Sequence, residues 1–236
     1  METPWIRPAS NFLQRRTLGL FADYKVTGVE NVPPMGPLIV VANHQSYVDP
    51  PLLGASIPRR LWFLAKKEIF KGPVADWFLK SYGAFPLDRE DRDIRAYRWV
   101  LNKLQRDGVV AIFPEGTRSP GAMKRATTGV VQLALKTQAP LLPVGLTGTE
   151  HLGHWLRTLH PTGRIRVNIG TVFSLPSVEG KPNKQVIESL VDTVMHRVAA
   201  LLPASYRGVY EIGHNAVTTD AQAQSRGIEK GGAPLA

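Results

Sequence analysis

The sequence contains no cysteine. That excludes disulfide cross-links, thiolate metal sites and a cysteine nucleophile, and it leaves the redox compartment undetermined. No window approaches the roughly 18 consecutive apolar residues that span a bilayer, and the opening METPWIRPAS has no hydrophobic signal-peptide core. Both absences lead to the expectation of a cytoplasmic protein. Familiar phosphate and hydrolase signatures are missing as well. Gly116 and Gly121 have P-loop spacing, but Ala122-Met123 stands where Lys-Ser/Thr is required, and neither G-x-G-x-x-G nor G-x-S-x-G occurs. His151, His154 and His160 lie close in sequence without an H-E-x-x-H pattern, so they are read as surface or interfacial histidines, with no metal assigned. Acidic residues are scarce. Nineteen Asp plus Glu face 29 Lys plus Arg, a net charge of +10, which calls for an anionic partner: nucleic acid, anionic lipid or a phosphorylated substrate.

What is present is a foldable chain: 236 residues with 43% hydrophobic and 20% charged residues, near the globular average and long enough for one large domain. Apolar β-branched runs bounded by Pro, Gly or Asn predict core strands at Pro37–Ala42, Leu61–Ala65, Val109–Phe113 and Leu141–Leu146. Stretches of helical period lie between them, at Ile94 to Leu104 and Val130 to Leu135. The alternation predicts an α/β, single-domain sandwich with a mostly parallel or mixed central sheet flanked by helices. Arg164–Thr171 alternates charged and apolar residues and suits a half-exposed edge strand, while Lys184–Leu202 reads as a helix stopped by Pro203, where order is expected to end. The chain divides into an amphipathic segment 1–22, a core domain 23–210 and a flexible tail 211–236 whose composition carries no chemistry.

Two loops carry reactive residues, each directly after a predicted strand, where α/β sheets place functional groups. The first is Asn43-His44-Gln45-Ser46-Tyr47-Val48-Asp49. Five residues along a helix are about 140° apart around the axis, so His44 and Asp49 meet only if the chain turns between them. Asp49-Pro50-Pro51 supplies a helix start that leaves His44 in the preceding loop. Either Asp49 orients His44 as a general base, or it caps the helix and His44 packs against a loop. Ser46 lacks the elbow of a serine nucleophile and reads as a hydrogen-bonding residue. The second loop is Phe113-Pro114-Glu115-Gly116-Thr117-Arg118-Ser119: a glycine for close backbone approach, a hydroxyl, and a guanidinium able to grip phosphate bidentately. An ordinary surface turn with a Glu115/Arg118 pair accounts for it equally. Between them, Arg89 is either a second phosphate ligand or a solvated residue among Asp88, Glu90, Asp91 and Asp93 of a helix's first turn.

Together these segments resemble the glycerophosphate acyltransferase superfamily, especially its 1-acylglycerol-3-phosphate acyltransferases. Asn43-His44 and Asp49 match the block N-H-x-x-x-x-D; Phe85-Pro86-Leu87-Asp88-Arg89, Phe113 to Ser119, and Leu142-Pro143-Val144 are similar to the three blocks that follow, in order and spacing. The likeness covers roughly residues 25 to 175 and departs after the third block, where Lys124-Arg125 precedes Gly129 by several residues and leaves the role of Lys124 open. The resemblance implies a glycerol-3-phosphate acyltransferase-like fold with His44 as base and Asp49 as its orienter. It further implies acceptor phosphate held by Gly116, Thr117, Arg118 and Arg89, with Glu115 positioning these groups. By the same resemblance the acceptor is a membrane lysolipid, and the acyl thioester, acyl-CoA or acyl carrier protein, is a co-substrate with no other cofactor. The implied setting is the cytoplasmic face of a membrane, bound peripherally to its anionic surface. The +10 charge is then expected to meet lipid, with no nucleic acid, because no interleaved aromatics or binding motif accompany the basic residues. Trp5 to Phe21 is the expected docking segment, with a core-packed amphipathic helix as the alternative; for Ile69 to Phe78, core packing is the favoured expectation.

Overall fold

The computed structural model describes residues 3–88, 93–178, 180 and 182–211. Its centre is a seven-stranded sheet in the order β1-β7-β6-β2-β5-β3-β4. In chain order these are β1 (Ala22–Thr27), β2 (Leu38–Ala42), β3 (Leu61–Lys66), β4 (Ala84–Leu87), β5 (Val109–Ile112), β6 (Leu141–Thr147) and β7 (Gly163–Ile169). All neighbours are parallel except β6 and β7. The mixed α/β sandwich predicted from alternation is the fold observed.

β2 explains why both faces must be covered, since every one of its residues is buried. Leu38, Val40 and Ala42 point to one layer and pack with Leu18 of α1 (Ile6–Phe21), Leu52 and Leu53 of α2 (Asp49–Ser56) and Tyr82 of α3 (Pro73–Tyr82). Ile39 and Val41 point the other way, to Val100 and Leu104 of α4 (Ile94–Leu104), Val130 and Val131 of α5 (Gly129–Thr137), and Val194, Met195 and Val198 of α6 (Lys184–Ala199). A period of two thus splits one apolar run between two cores.

Three expectations are corrected. β7 is not an edge: it lies between β6 and β1, and β1 is the half-exposed edge, in register from Ala22↔Gly163 to Thr27↔Asn168. Alternation reports that one face of β7 is exposed, which is true, but says nothing about whether its backbone is paired. The fold also continues past Pro203. A short helix, α7 (Ala204–Arg207), and a 3₁₀ turn at Gly208–Tyr210 bring the buried Tyr210 to accept the Ala126 N–H through its hydroxyl. The expected tail from 212 lies outside the described residues. Finally, Val74, Trp77 and Phe78 of α3 are exposed rather than core, because the helix is anchored mainly by its last turn, at Ser81 and Tyr82.

α1 is packed on the core along one side. Ile6, Gln14, Thr17 and Leu18 are buried, and Arg7 and Arg15 donate to the carbonyls of Tyr82 and Ala55. Its other side exposes Trp5, Phe12, Leu13, Leu20 and Phe21. Among the described residues no helix is long and apolar enough to cross a membrane.

Candidate active site

β2, β5 and β6 run parallel side by side, so the loops leaving their carboxyl ends emerge together. Where β2 and β6 part, the Asn43 side chain extends the ladder: its Nδ2 donates to the Leu146 carbonyl at 2.9 Å and its Oδ1 accepts the Leu146 N–H at 2.8 Å. Gln45 donates to the same carbonyl and accepts the Gly121 N–H. His44 is thereby held between two anchored residues.

The chain then turns back as the sequence requires. Asp49 begins α2 and is fully buried, but it does not cap that helix. Its Oδ2 accepts from the N–H groups of Gln45 (2.6 Å) and Ser46 (2.8 Å) and lies 2.8 Å from Nδ1 of His44, while Oδ1 accepts the Thr149 hydroxyl at 2.6 Å. The carboxylate thus orders the loop and orients the imidazole at once. Nδ1–H donated to Asp49 fixes the tautomer that leaves Nε2 as a proton acceptor. The imidazole stacks on Phe113, centroids 4.2 Å apart, and its side chain keeps 15% exposure. Ser46 donates its hydroxyl to the Leu152 carbonyl and accepts the Val48 N–H, the hydrogen-bonding role that its sequence context suggests.

The second loop is tied to His44 itself. Oε1 of Glu115 accepts the His44 N–H at 2.9 Å, and the Ser119 N–H donates to the His44 carbonyl at 2.6 Å. Oε2 of Glu115 accepts the Lys124 N–H, which is how Lys124 enters the site, by its backbone, with its side chain exposed. Burial pushes the Glu115 carboxyl above its ordinary pKa, opposed by those two backbone donors. Facing inward, Glu115 clasps the loops together and no Glu115/Arg118 pair forms among the described contacts. Gly116 has φ 68°, so a side chain there is strained although its Cβ would meet only the Thr127 methyl, at an ordinary 3.8 Å. Thr117 is exposed, and the Arg118 guanidinium lies 3.5 Å over the Tyr47 ring. Stacking uses the guanidinium face and leaves its in-plane N–H donors for a ligand. His44, Asp49 and the Glu115–Arg118 segment therefore share one mouth.

Residues 23–147 match the family described as Acyltransferase. The chain belongs to the acyltransferase family. A 1-acyl-sn-glycerol-3-phosphate acyltransferase of Bacillus subtilis is 29% identical over 187 residues, covering 78% of this chain and 90% of that protein. The crystal structure of the 1-acyl-sn-glycerophosphate (LPA) acyltransferase PlsC from Thermotoga maritima matches with a TM-score of 0.65 at 31% identity, over 83% of this chain and 78% of its own. A lyso-ornithine lipid O-acyltransferase of Pseudomonas aeruginosa is 36% identical over 138 residues, 58% of this chain and 52% of that protein.

In this acyltransferase Arg89 lies outside the described residues, as do Glu90 and Asp91. Their neighbours are settled: Asp93 caps α4 by accepting from Arg95 and Ala96, and Asp88 pairs with Lys67 at 2.6 Å. Among the described residues no group of three or more His, Cys, Asp or Glu is placed to hold a metal. Sequence reading missed Thr149. It follows the fourth block by a few residues, and only the pairing of β2 with β6 shows that its hydroxyl reaches Asp49.

Proposed function

We propose that this acyltransferase moves a fatty acyl group from a thioester, acyl-CoA or acyl carrier protein, to the sn-2 hydroxyl of 1-acylglycerol 3-phosphate, giving phosphatidic acid for phospholipid synthesis. The observation that carries this reading is the 2.8 Å contact of His44 Nδ1 with Asp49, beside a loop bonded to the backbone of the same histidine. Nε2 of His44 takes the acceptor's hydroxyl proton as the oxygen attacks the thioester carbonyl. The tetrahedral adduct collapses with cleavage of the C–S bond, and the imidazolium returns the proton to the departing thiolate. A thiol, with an ordinary pKa of about 8.5, leaves readily, so no acyl-enzyme is needed. Arg118, with the Gly116-Thr117 segment and Arg89, grips the acceptor phosphate. Glu115 holds that segment against His44.

The acceptor resides in a bilayer, and the exposed apolar faces of α1 and α3 support peripheral docking on an anionic, cytoplasmic leaflet. Arg16, stacked on Phe12, and Lys66 and Lys71 beside α3 supply the charge, so the net +10 serves lipid rather than nucleic acid. The deciding assay is thiol release from acyl-CoA and from acyl carrier protein, each with and without 1-acylglycerol 3-phosphate. Acceptor-dependent release supports the reading; release that ignores the acceptor contradicts it. The relative named for a lyso-ornithine lipid favours a second acceptor class. A panel adding that lipid and glycerol 3-phosphate decides between them.

A further inference from the structure

The connection between β6 and β7, residues 148–162, has two ends of opposite character. Its inner end belongs to the active-site scaffold: Thr149 donates to Asp49, and Leu152, fully buried, accepts the Ser46 hydroxyl at its carbonyl. Its outer end is a 3₁₀ turn, Trp155–Thr158, whose Leu156 N–H is accepted by Nδ1 of His154. There Trp155, Leu156 and Leu159 stand 60%, 50% and 51% exposed. The turn leans on the end of α1, where the Thr17 hydroxyl donates to the Thr158 carbonyl and the Phe21 and His160 rings lie 4.4 Å apart. Its apolar residues therefore continue the exposed surface of Leu20 and Phe21. No acidic residue occurs between Glu150 and Glu179, nor within α1, whereas Arg157 is exposed at the tip itself.

We propose that the Trp155–Leu159 tip is a bilayer-contact element, distinct from α1 and α3, that seats the carboxyl ends of β2, β5 and β6 at the surface of an anionic leaflet. This deepens the peripheral-docking reading given above and rests on it. A cluster of large exposed apolar residues on a soluble face is costly unless something covers it, and with Asp23, just past α1, already paired to Arg164 and Arg166, the exposed Arg157 selects a negatively charged cover. Because the base of the loop is hydrogen-bonded to Ser46 and Asp49, a tip in the headgroup layer fixes the distance from lipid to His44.

The lack of native cysteine makes the test clean. Leu156→Cys, labelled with the environment-sensitive fluorophore NBD, is mixed with vesicles of phosphatidylcholine and phosphatidylglycerol. Met35→Cys, 78% exposed before β2 and so at the opposite end of the sheet, is the control. The expected result is a blue shift and several-fold brightening at position 156 with none at position 35. In parallel, L156D/L159D should lose about tenfold or more in vesicle co-sedimentation while keeping thiol release with a short-chain, monodisperse acceptor. A silent label at 156 in protein that sediments with vesicles overturns the tip as an anchor and leaves docking through α1 intact. Failure of the unmodified chain to sediment overturns both. Loss of the double variant's release from the monodisperse acceptor also counts against the proposal, since the tip would then serve the site itself. Absence of thiol release from the unmodified chain refutes the enzyme reading, while the fluorescence still decides the tip.

Discussion

At the scale of single residues, Asp49 is the hub, because one buried carboxylate accepts two backbone N–H groups, an imidazole and a hydroxyl. Thr149→Val leaves Oδ1 without its donor in a buried place, which costs on the order of 1–3 kcal/mol. The expected outcome is a fall of about tenfold or more in kcat with little change in KM, restored by Thr149→Ser; an equal loss in both variants would mean a packing role. Arg118→Ala should instead raise the apparent KM for a phosphorylated acceptor by roughly tenfold or more and spare kcat, since a charge-assisted bond to phosphate is made before reaction. Glu115 titrates with the opposite sense from a surface carboxylate. Its folded pKa is raised above the ordinary 4.5, so the folded state binds the extra proton and stability is lost as pH rises from 4.5 through the raised value. Glu115→Gln places an NH₂ against one backbone N–H and is destabilised overall, but it lacks this titration. The gap in melting temperature between the two proteins should narrow from pH 5 to pH 8. His44, Asp49 and the 115–118 segment stood out in the sequence through the ordered blocks of the resemblance, because a position after an apolar run by itself left an ordinary loop open at each. Thr149 was not, because a lone threonine carries no signal until β6 is laid beside β2.

At the scale of elements, periodicity read the helices α4, α5 and α6 and the strands β2, β3, β5 and β6 well, since burial on both faces leaves a continuous apolar run. It failed at β1, whose alternating ADYKVT was not assigned as a strand, and it therefore placed the edge one strand too far in. It also assigned α3 to the core, because an amphipathic stripe looks the same in sequence whether the fold covers it or leaves it exposed. Asp93 shows what local chemistry contributes within an element. Its carboxylate accepts from the Asp88, Arg95 and Ala96 N–H groups and joins the end of β4 to the start of α4, and its pKa is lowered chiefly by the Asp88 and Ala96 bonds. Asp93→Ala should cost about 1 kcal/mol in denaturant unfolding. The native cap's contribution is present above the ordinary pKa of 3.8 and fades as pH falls through the lowered one, so the difference between the two proteins should close in strong acid.

At the scale of the whole molecule, the sheet sends reactive loops out of one end, and the acid-free α1 with its exposed apolar face flanks the same sheet. A basic chain on an anionic leaflet is held by charge and by apolar insertion, and only the first is screened. Raising salt from about 0.1 to 0.5 M should weaken vesicle binding without abolishing it, as co-sedimentation will show. The central claim is that His44, oriented by Asp49, removes the acceptor's proton at that end of the sheet. It is tested most directly by acceptor-dependent thiol release from acyl-CoA in His44→Ala beside the native chain. The account predicts a loss of at least about 10²-fold in rate in a protein that still folds cooperatively, with a loss of stability on the order of 1–3 kcal/mol because buried Asp49 gives up one donor. A rate within a few-fold of the native chain's would contradict it.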